Sequence, residues 1–403
     1  MNISNGKSFW TRNFIFLLIS NALLFMVFEM LTPTLPLLAE SLGCSPSQIG
    51  LVIGAFTISA MIARPFCSIF TNFIDKKYIL FIGVLITMLS TGSYMVSTGI
   101  GILITLRLIH GFGFGIATTY YVTLASEQLP HNQIGEGMGY FGIGETICMS
   151  IGPMVGIALL NKLNFQGLFS FGAIILLIAV LLILGIDRRA VTKKKLAKSK
   201  KISYKLFEKR VLLQSFLIFL IGVVVSGVMT YLTLFAKQQG ISTVAWFFFI
   251  AAITGILIRV VSGKMFDEKG PLYVLIPSAI CLIIGIVLIA YSRSELQLNI
   301  AGIFYGVAFG SIFPAIQAWV LSMVPVEDRE DAMSTFLSCF DIGIGGGAIF
   351  LGIIVQGTSY KTMYLSSIIF IAAFLALIIY LDKFKKVLPL TQDEKAILSE
   401  SGE

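Results

Sequence analysis

Four ionisable side chains lie inside long apolar stretches of the sequence, where a charge is costly. They are Glu29, Arg107, Glu145 and Asp341. An ionised side chain at the centre of a bilayer costs roughly 2.5–3.5 kcal/mol on insertion scales, so it pairs with an opposite charge or faces water, and an acid can also stay protonated. A carboxyl group that switches among these states can couple proton movement to another event, so the sequence predicts proton-coupling residues here. A purely structural ion pair is the alternative for the acids, and extension of Arg107 to the membrane surface is the alternative for the cation.

The apolar stretches that hold these residues dominate the chain. Of the 403 residues, 57% are hydrophobic and only 12% are charged, whereas soluble domains carry about 25% charged residues. Lipid must therefore surround most of the chain, and about 20 residues cross a ~30 Å hydrocarbon layer as a helix. We predict an all-α polytopic membrane protein with twelve transmembrane helices, because a β-barrel would alternate apolar and polar residues. The predicted helices lie at 14–38, 47–70, 78–97, 100–125, 137–160, 166–186, 211–235, 243–265, 272–291, 298–322, 333–356 and 361–381.

The distribution of basic residues predicts the orientation of these helices. The net charge is +8, and of the 29 Lys and Arg residues three lie in or at the ends of helices, four in the loops of one side and 22 on the other side. Such an asymmetry marks the cytoplasmic side. We therefore expect both termini and the 187–210 loop in the cytoplasm, and the protein in the cytoplasmic membrane of a bacterium. We expect anionic lipid as a contact and no nucleic acid as a partner.

Patterns for metal binding and enzymatic chemistry do not occur in the sequence. The five cysteines are scattered singly, and His110 and His131 are the two histidines, so we expect no metal site and no cofactor. The patterns GxxxxGK[ST], HExxH and GxSxG are also missing, which argues against an ATP-driven motor and an intramembrane enzyme. A secondary transporter remains. A membrane sensor or scaffold is an alternative class, although it would be expected to carry a large soluble module.

The chain divides into two similar halves. The run from Asp187 to Arg210 is the one long polar insertion, and it separates six predicted helices from six. Residues of the second half repeat those of the first at a constant offset of 195 positions. The matching pairs are Arg64/Arg259, Tyr78/Tyr273, Leu80/Leu275, Gly111/Gly306, Phe114/Phe309, Gly115/Gly310, Pro130/Pro325, Met138/Met333 and Phe141/Phe336. We predict six-helix bundles at 1–186 and 211–385, a basic cytoplasmic linker at 187–210 and a cytoplasmic tail at 386–403.

A short basic segment follows the eighth predicted helix. It begins at Arg259 and reads RVVSGKMFDEKG, in which Gly263, Asp267 and Gly270 form the pattern G-x-x-x-D-x-x-G. The first glycine would let two helices approach closely, and the second would permit a left-handed turn. The Asp could cap a helix N-terminus and pair with a basic residue.

The corresponding segment after the second predicted helix begins at Arg64 and is degraded. Ser68, Asn72 and Asp75 stand where the other copy has Gly, Asp and Gly. Asn72 can cap a helix but cannot form an ion pair, so we expect Asp267 to be the more important residue. An ordinary short basic loop is the alternative for both copies.

The fifth predicted helix carries a glycine–proline motif. Gly144 precedes Glu145, and Gly152-Pro153-x-x-Gly156 follows. Proline and glycines in this pattern predict a kinked helix that packs tightly on a neighbour.

Two further helices hold a buried charge in a distinctive context. In the first, Glu29 lies four residues before Pro33 and seven before Pro36. In the fourth, Arg107 lies one turn before His110 and a glycine-rich face. We expect His110 to serve packing or a hydrogen bond rather than a proton relay.

Together these motifs resemble those of the major facilitator superfamily, over roughly residues 12 to 385. The Gly-Pro-x-x-Gly motif and the acid of the first helix resemble the twelve-helix drug:proton antiporters, although Cys148 and Ile157 depart from the pattern. The resemblance implies alternating access around a central site, with the Arg259–Gly270 element as the latch of the cytoplasmic gate. It also implies that the first and fourth helices both line the cavity, which makes Arg107 the best available cation for Glu29. It implies proton-coupled export of a small amphipathic molecule, a drug or metabolite, with import by proton symport as the alternative. A monomer is expected.

Several polar and aromatic residues face the cavity that this resemblance implies. Interhelical hydrogen bonds, or aromatic contacts at the membrane interface, are the alternative roles for them. These candidate substrate contacts are Asn21, His110, Tyr231, Tyr305, Gln317 and Trp319, with Gln214 beside them.

Overall fold

The computed structural model describes residues 10–71, 73–129, 134–187, 208–325 and 328–385, and the regular structure in these ranges is helical. The chain forms two compact units, Met1–Ser203 and Tyr204–Glu403. Most of the predicted linker, 188–207, and the whole predicted tail, 386–403, lie outside the described residues. The boundaries of these two segments therefore stay predictions.

The helices of the first unit follow the predicted order. They are α1 (Arg12–Leu31), α2 (Leu35–Ser41), α3 (Pro46–Phe70), α4 (Lys76–Ser93), α5 (Ile100–Gln128) and α6 (Ile134–Leu184), with a 3-10 turn at Tyr94–Val96 after α4. In the second unit a 3-10 turn at Lys209–Val211 leads into the first helix. The helices there are α7 (Leu212–Gln238), α8 (Ala245–Lys269), α9 (Pro271–Tyr291), α10 (Glu295–Ser322), α11 (Arg329–Gly357) and α12 (Tyr360–Lys385).

The first predicted helix, 14–38, is interrupted in the structure. α1 ends at Leu31 and α2 begins at Leu35, because Pro33 and Pro36 have no N–H group for the helical ladder and their rings clash with the preceding turn. The Thr34 hydroxyl group donates instead to the carbonyl oxygen of Met30, at 2.9 Å. The break comes directly after the last turn of α1, where Glu29 lies.

Two of the predicted helices, 137–160 and 166–186, form the two arms of α6. At Asn164 the backbone has φ 59° and ψ −173°, which breaks the helix. The contacts with α1 show that the arms run in opposite directions: Gly144 lies near Ala22 and Gly156 near Met30, whereas Gly172 lies near Val27 and Gly185 near Phe16. Eleven helical stretches of the described residues are long and apolar enough to cross a membrane. Since the stretch through Asn164 holds two crossings, the chain has the twelve transmembrane helices that the sequence predicts.

The repeat at an offset of 195 is visible in the closest helix contacts. A Cβ atom built on Gly111 of α5 would lie 2.2 Å from the carbonyl oxygen of Phe56 in α3, and one built on Gly306 of α10 would lie 2.2 Å from that of Ala251 in α8. Gly115 meets Ala60, and Gly310 meets Gly255, in the same way. Each residue of a contact in the first unit has its counterpart 195 positions later in the second unit. The contact of α3 with α5 is therefore repeated at equivalent residues by that of α8 with α10. Small residues at these crossings allow the backbones to touch, which is how helices associate in lipid.

Candidate functional site

Glu29 lies at the contact between α1 and the first arm of α6. Its side chain is only 3% exposed, and Gly152 faces it so closely that a Cβ atom there would lie 2.5 Å from the Cβ atom of Glu29. Among the residues that the structure describes, none forms a hydrogen bond or an ion pair with the Glu29 carboxyl group. A buried carboxyl group without a partner is stable as the neutral acid, and ionisation calls for water or a cation.

Glu145 lies on the same α1–α6 contact. Its Oε1 atom accepts a hydrogen bond from Nδ2 of Asn21, at 2.8 Å. Asn21 precedes Glu29 by eight residues, about two helical turns. Glu29 and the residue that binds Glu145 therefore lie about two turns apart along the side of α1 that packs on α6. Cys148 is buried and lies within electrostatic range of both carboxyl groups. The structure thus brings Glu29 and Glu145 to one interface.

The residues of the glycine–proline motif form the α6 side of this interface. A Cβ atom built on Gly156 would lie 2.3 Å from the carbonyl oxygen of Met30, and one built on Gly144 would lie 3.4 Å from Cβ of Ala22. Pro153 is buried within α6. The expected tight contact of this motif with a neighbouring helix is therefore present, and the neighbour is α1, at the turn that carries Glu29.

Arg107 occupies a second buried site, between α3 and α5. It is 4% exposed, its Nε atom donates to the carbonyl oxygen of Val52 at 3.1 Å, and its Cζ atom lies 4.2 Å from the ring centre of Phe56. The side chain is not exposed at the surface of the protein. Nor does the structure pair it with Glu29, contrary to our expectation, because the guanidinium group is held on the ring of Phe56 and on the backbone of α3.

His110 lies one turn after Arg107 and is fully buried. Its Nδ1 atom is 2.9 Å from the hydroxyl oxygen of Tyr94, as expected for a hydrogen-bonding role. Its Nε2 atom is also buried and has no hydrogen-bond partner in the described part of the chain. The ring meets that of Phe56 edge to face, with centroids 5.1 Å apart.

Four phenylalanines connect α1 with α3 and α5, and sequence reasoning missed them. The ring of Phe28 lies 5.2 Å from that of Phe56 and 4.7 Å from that of Phe114, and Phe25 lies 5.6 Å from Phe114. We call these four residues the aromatic cluster. The spacing of Phe25 and Phe28, three residues apart on α1, is the signal that could have revealed one side of it. Their partners on α3 and α5 carry no such signal.

The two copies of the predicted latch differ in what they show. Gly270 has φ 88° at the junction of α8 and α9, which confirms the expected left-handed turn. The close helix approach expected at Gly263 is wrong for the described residues, since no atom lies within 4 Å of a Cβ atom built there. Asp267 is exposed and caps no helix, because α8 continues to Lys269. Arg259, where this copy begins, is exposed on α8.

In the first copy, Asp75 holds the N-cap position of α4 without a side-chain capping hydrogen bond. Arg64 is half-buried on α3. Asn72 lies outside the described residues. The expected difference in strength between the two copies therefore stays a prediction.

The remaining predicted site residues lie in the second unit. Asp341 is half-buried on α11, two residues before Gly343, which packs against the backbone of Phe219. The Tyr231 hydroxyl group donates to the carbonyl oxygen of Ala348, at 2.7 Å. The other candidates there are Tyr305 (buried), whose ring stacks on Phe309, Gln317 (half-buried) and Trp319 (buried).

Two six-helix units related by a constant sequence offset, with ionisable groups buried in the helix contacts, define a multi-pass membrane transporter of the repeat-built class. The chain belongs to the Major Facilitator Superfamily, since the model of that family matches residues 17–309 and 292–400. Solved structures with the same fold include a nucleoside transporter, NupG, with a TM-score of 0.76 and 20% identity over 90% of this chain and 99% of that one.

Among the curated relatives, similarity extends over most of both chains. An uncharacterized MFS-type transporter of Methanocaldococcus jannaschii is 27% identical over 84% of this chain and 90% of its own length. The staphylopine export protein of Staphylococcus aureus is 23% identical over 93% and 96%. The multidrug resistance protein MdtG of Escherichia coli is 25% identical over 88% and 91%. These relatives are transporters of bacteria and an archaeon, and two of the three carry names that refer to export or drug resistance.

Proposed function

We propose that this protein is a proton-coupled exporter of a small amphipathic molecule and that Glu29 is its principal proton-binding group. The observation that carries the proposal is the position of Glu29: buried, without a partner among the described residues, and in contact with Gly152 of the Gly-Pro-x-x-Gly motif. A change in the contact between α1 and α6 would change the surroundings of this carboxyl group directly. Protonation of Glu29 and movement of α1 are then physically coupled.

The names of the export and drug-resistance relatives support the direction of transport. Proton entry can supply the free energy for export, because one proton moving down a membrane potential of ~100 mV releases roughly 2.3 kcal/mol. Glu145, hydrogen-bonded to Asn21 on the same interface, is the second acid that could hold a proton, and Asp341 would serve in the other unit. We further propose a monomer in the cytoplasmic membrane, with cytoplasmic termini and alternating access.

The test uses everted membrane vesicles that contain a pH-sensitive dye. A panel of toxic amphipathic compounds is first screened for compounds to which a deletion strain is hypersensitive. In vesicles with the wild-type protein, such a compound should release protons from the acidified interior. Glu29→Gln resembles the neutral acid and should fold normally, yet it should lose at least about tenfold in coupled proton release while still binding the compound.

The matched control is Glu127→Gln, which changes an exposed acid near the end of α5 and should leave proton release unchanged. If Glu29→Gln releases protons at the wild-type rate, Glu29 is structural and the proposal fails. If labelled compound moves into intact cells with the proton gradient, the protein is an importer.

A further inference from the structure

Arg107 is a buried cation with no acidic partner among the described residues. Its contacts are the carbonyl oxygen of Val52 and the ring of Phe56. Neither of these carries a full negative charge. A guanidinium group offers five N–H donors in a planar fork that fits a carboxylate, and burying it without an anion is costly. An anion placed beside this guanidinium group would therefore be stabilised by it.

A ring nitrogen of His110 lies at the same place and lacks a partner in the described part of the chain. His110 follows Arg107 by one turn on α5, so both side chains lie on one face of the helix. When the Tyr94 hydroxyl group donates to Nδ1 of His110, the ring proton is on Nε2, and that buried atom has no hydrogen-bond partner in the described residues. A buried donor left unpaired is destabilising. In that tautomer an unpartnered donor lies beside a buried cation, and together they favour an acceptor that carries negative charge.

We propose that Arg107 and His110, with Tyr94 as the positioning residue, form a subsite for a carboxylate group of the transported molecule. The aromatic cluster borders this subsite, because the ring of Phe56 contacts both the guanidinium group and the ring of Phe28. The cluster would hold an apolar or aromatic body attached to the carboxylate. This inference rests on the proposed transport function and names its substrate class as carboxylate-bearing amphipathic molecules.

The experiment compares two probes with the same aromatic body, naphthylacetate and its neutral amide, naphthylacetamide. Their affinities for the purified full-length protein in detergent are measured by equilibrium dialysis, in a sulfate buffer free of chloride. A charge-assisted hydrogen bond is worth roughly 1.5–3 kcal/mol, so the wild-type protein should bind the acid about 10- to 100-fold more tightly than the amide.

The variants test which residue makes this distinction. Arg107→Gln should bring the acid-to-amide ratio close to one and leave the affinity for the amide unchanged. Arg107→Lys keeps the charge without the planar fork and should lower the ratio several-fold, which covers the case that the Gln variant does not fold. The matched control is Arg12→Gln, since Arg12 is exposed and its Cζ atom also lies over a phenylalanine ring, 4.9 Å from that of Phe16. That variant should keep the wild-type ratio.

Three results would overturn the inference. They are a wild-type ratio near one, a preference for the acid that persists in Arg107→Gln, and no binding of either probe at its solubility limit. Chloride added to the same assay separates the sources of the anion: if it abolishes the preference at millimolar concentration, the site holds an inorganic anion and not a carboxylate of the cargo. The dialysis needs no proton gradient. If Glu29→Gln releases protons at the wild-type rate while the acid-to-amide ratio is intact, the proposed function is refuted and the subsite is not.

Discussion

Gly156→Ala should separate α1 from α6 at the turn that carries Glu29. The added Cβ atom would lie 2.3 Å from the carbonyl oxygen of Met30 and 2.8 Å from its Cα atom, whereas ordinary contact begins at 3.4 Å. These are backbone atoms, so no rotamer change can relieve the clash. α1 must shift by about 1 Å, and overpacking of this kind costs about 1–3 kcal/mol.

A matched variant isolates the packing effect. Replacing Gly by Ala inside a helix also stabilises the helix by about 0.8–1 kcal/mol. Gly346→Ala should stabilise α11 by the same amount without a clash, since no atom lies within 4 Å of the new Cβ atom. The difference between the two variants therefore reports the clash alone. For a unit of about 200 residues, each kcal/mol shifts Tm by about 2–4 °C, so Gly156→Ala should unfold about 2–12 °C below Gly346→Ala.

The assay is thermal unfolding of the purified proteins, followed by intrinsic fluorescence at equal detergent concentration. Substrate-dependent proton release in everted vesicles is measured alongside it, and Gly156→Ala should be impaired because Glu29 is displaced from its packed position. Equal Tm values for the two variants, with wild-type proton release in both, would refute the reasoning. That result would mean that α1 and α6 have room for a methyl group at this crossing.

Two further predictions concern the predicted latch and the predicted orientation in the membrane. Asp267→Asn should lower transport more than Asn72→Ala does at matched expression, because only Asp267 has a carboxylate that can form an ion pair. Glu268→Gln is the control for removing a neighbouring exposed carboxylate. Equal transport activities of Asp267→Asn and Asn72→Ala would contradict the latch. Single cysteines placed in the 187–210 loop should react with a membrane-impermeant thiol reagent only in everted vesicles, whereas a cysteine at Lys162 should react in intact cells. Labelling of the loop from outside would contradict the topology.

Much of the fold could be predicted from the sequence because a bilayer imposes its requirement along the chain. Each crossing needs about 20 apolar residues wherever it packs, so helix number and approximate ends follow from composition. The repeat could also be read directly, since Gly111/Gly306 and Gly115/Gly310 keep one offset. The reversal at Asn164 was expected only as a gap between two helices, and the break at Pro33 and Pro36 was missed as a helix end.

The partners of the charged residues were decided by the tertiary structure. The sequence indicated that Glu29 and Arg107 are buried, and it suggested that they pair. The structure instead places Glu29 against Gly152 on α6 and Arg107 against Phe56 on α3. The neighbour of a side chain depends on how each helix is rotated about its axis, and that rotation follows from which glycines let two backbones touch. Helices distant in sequence make those contacts, so only the folded chain determines them.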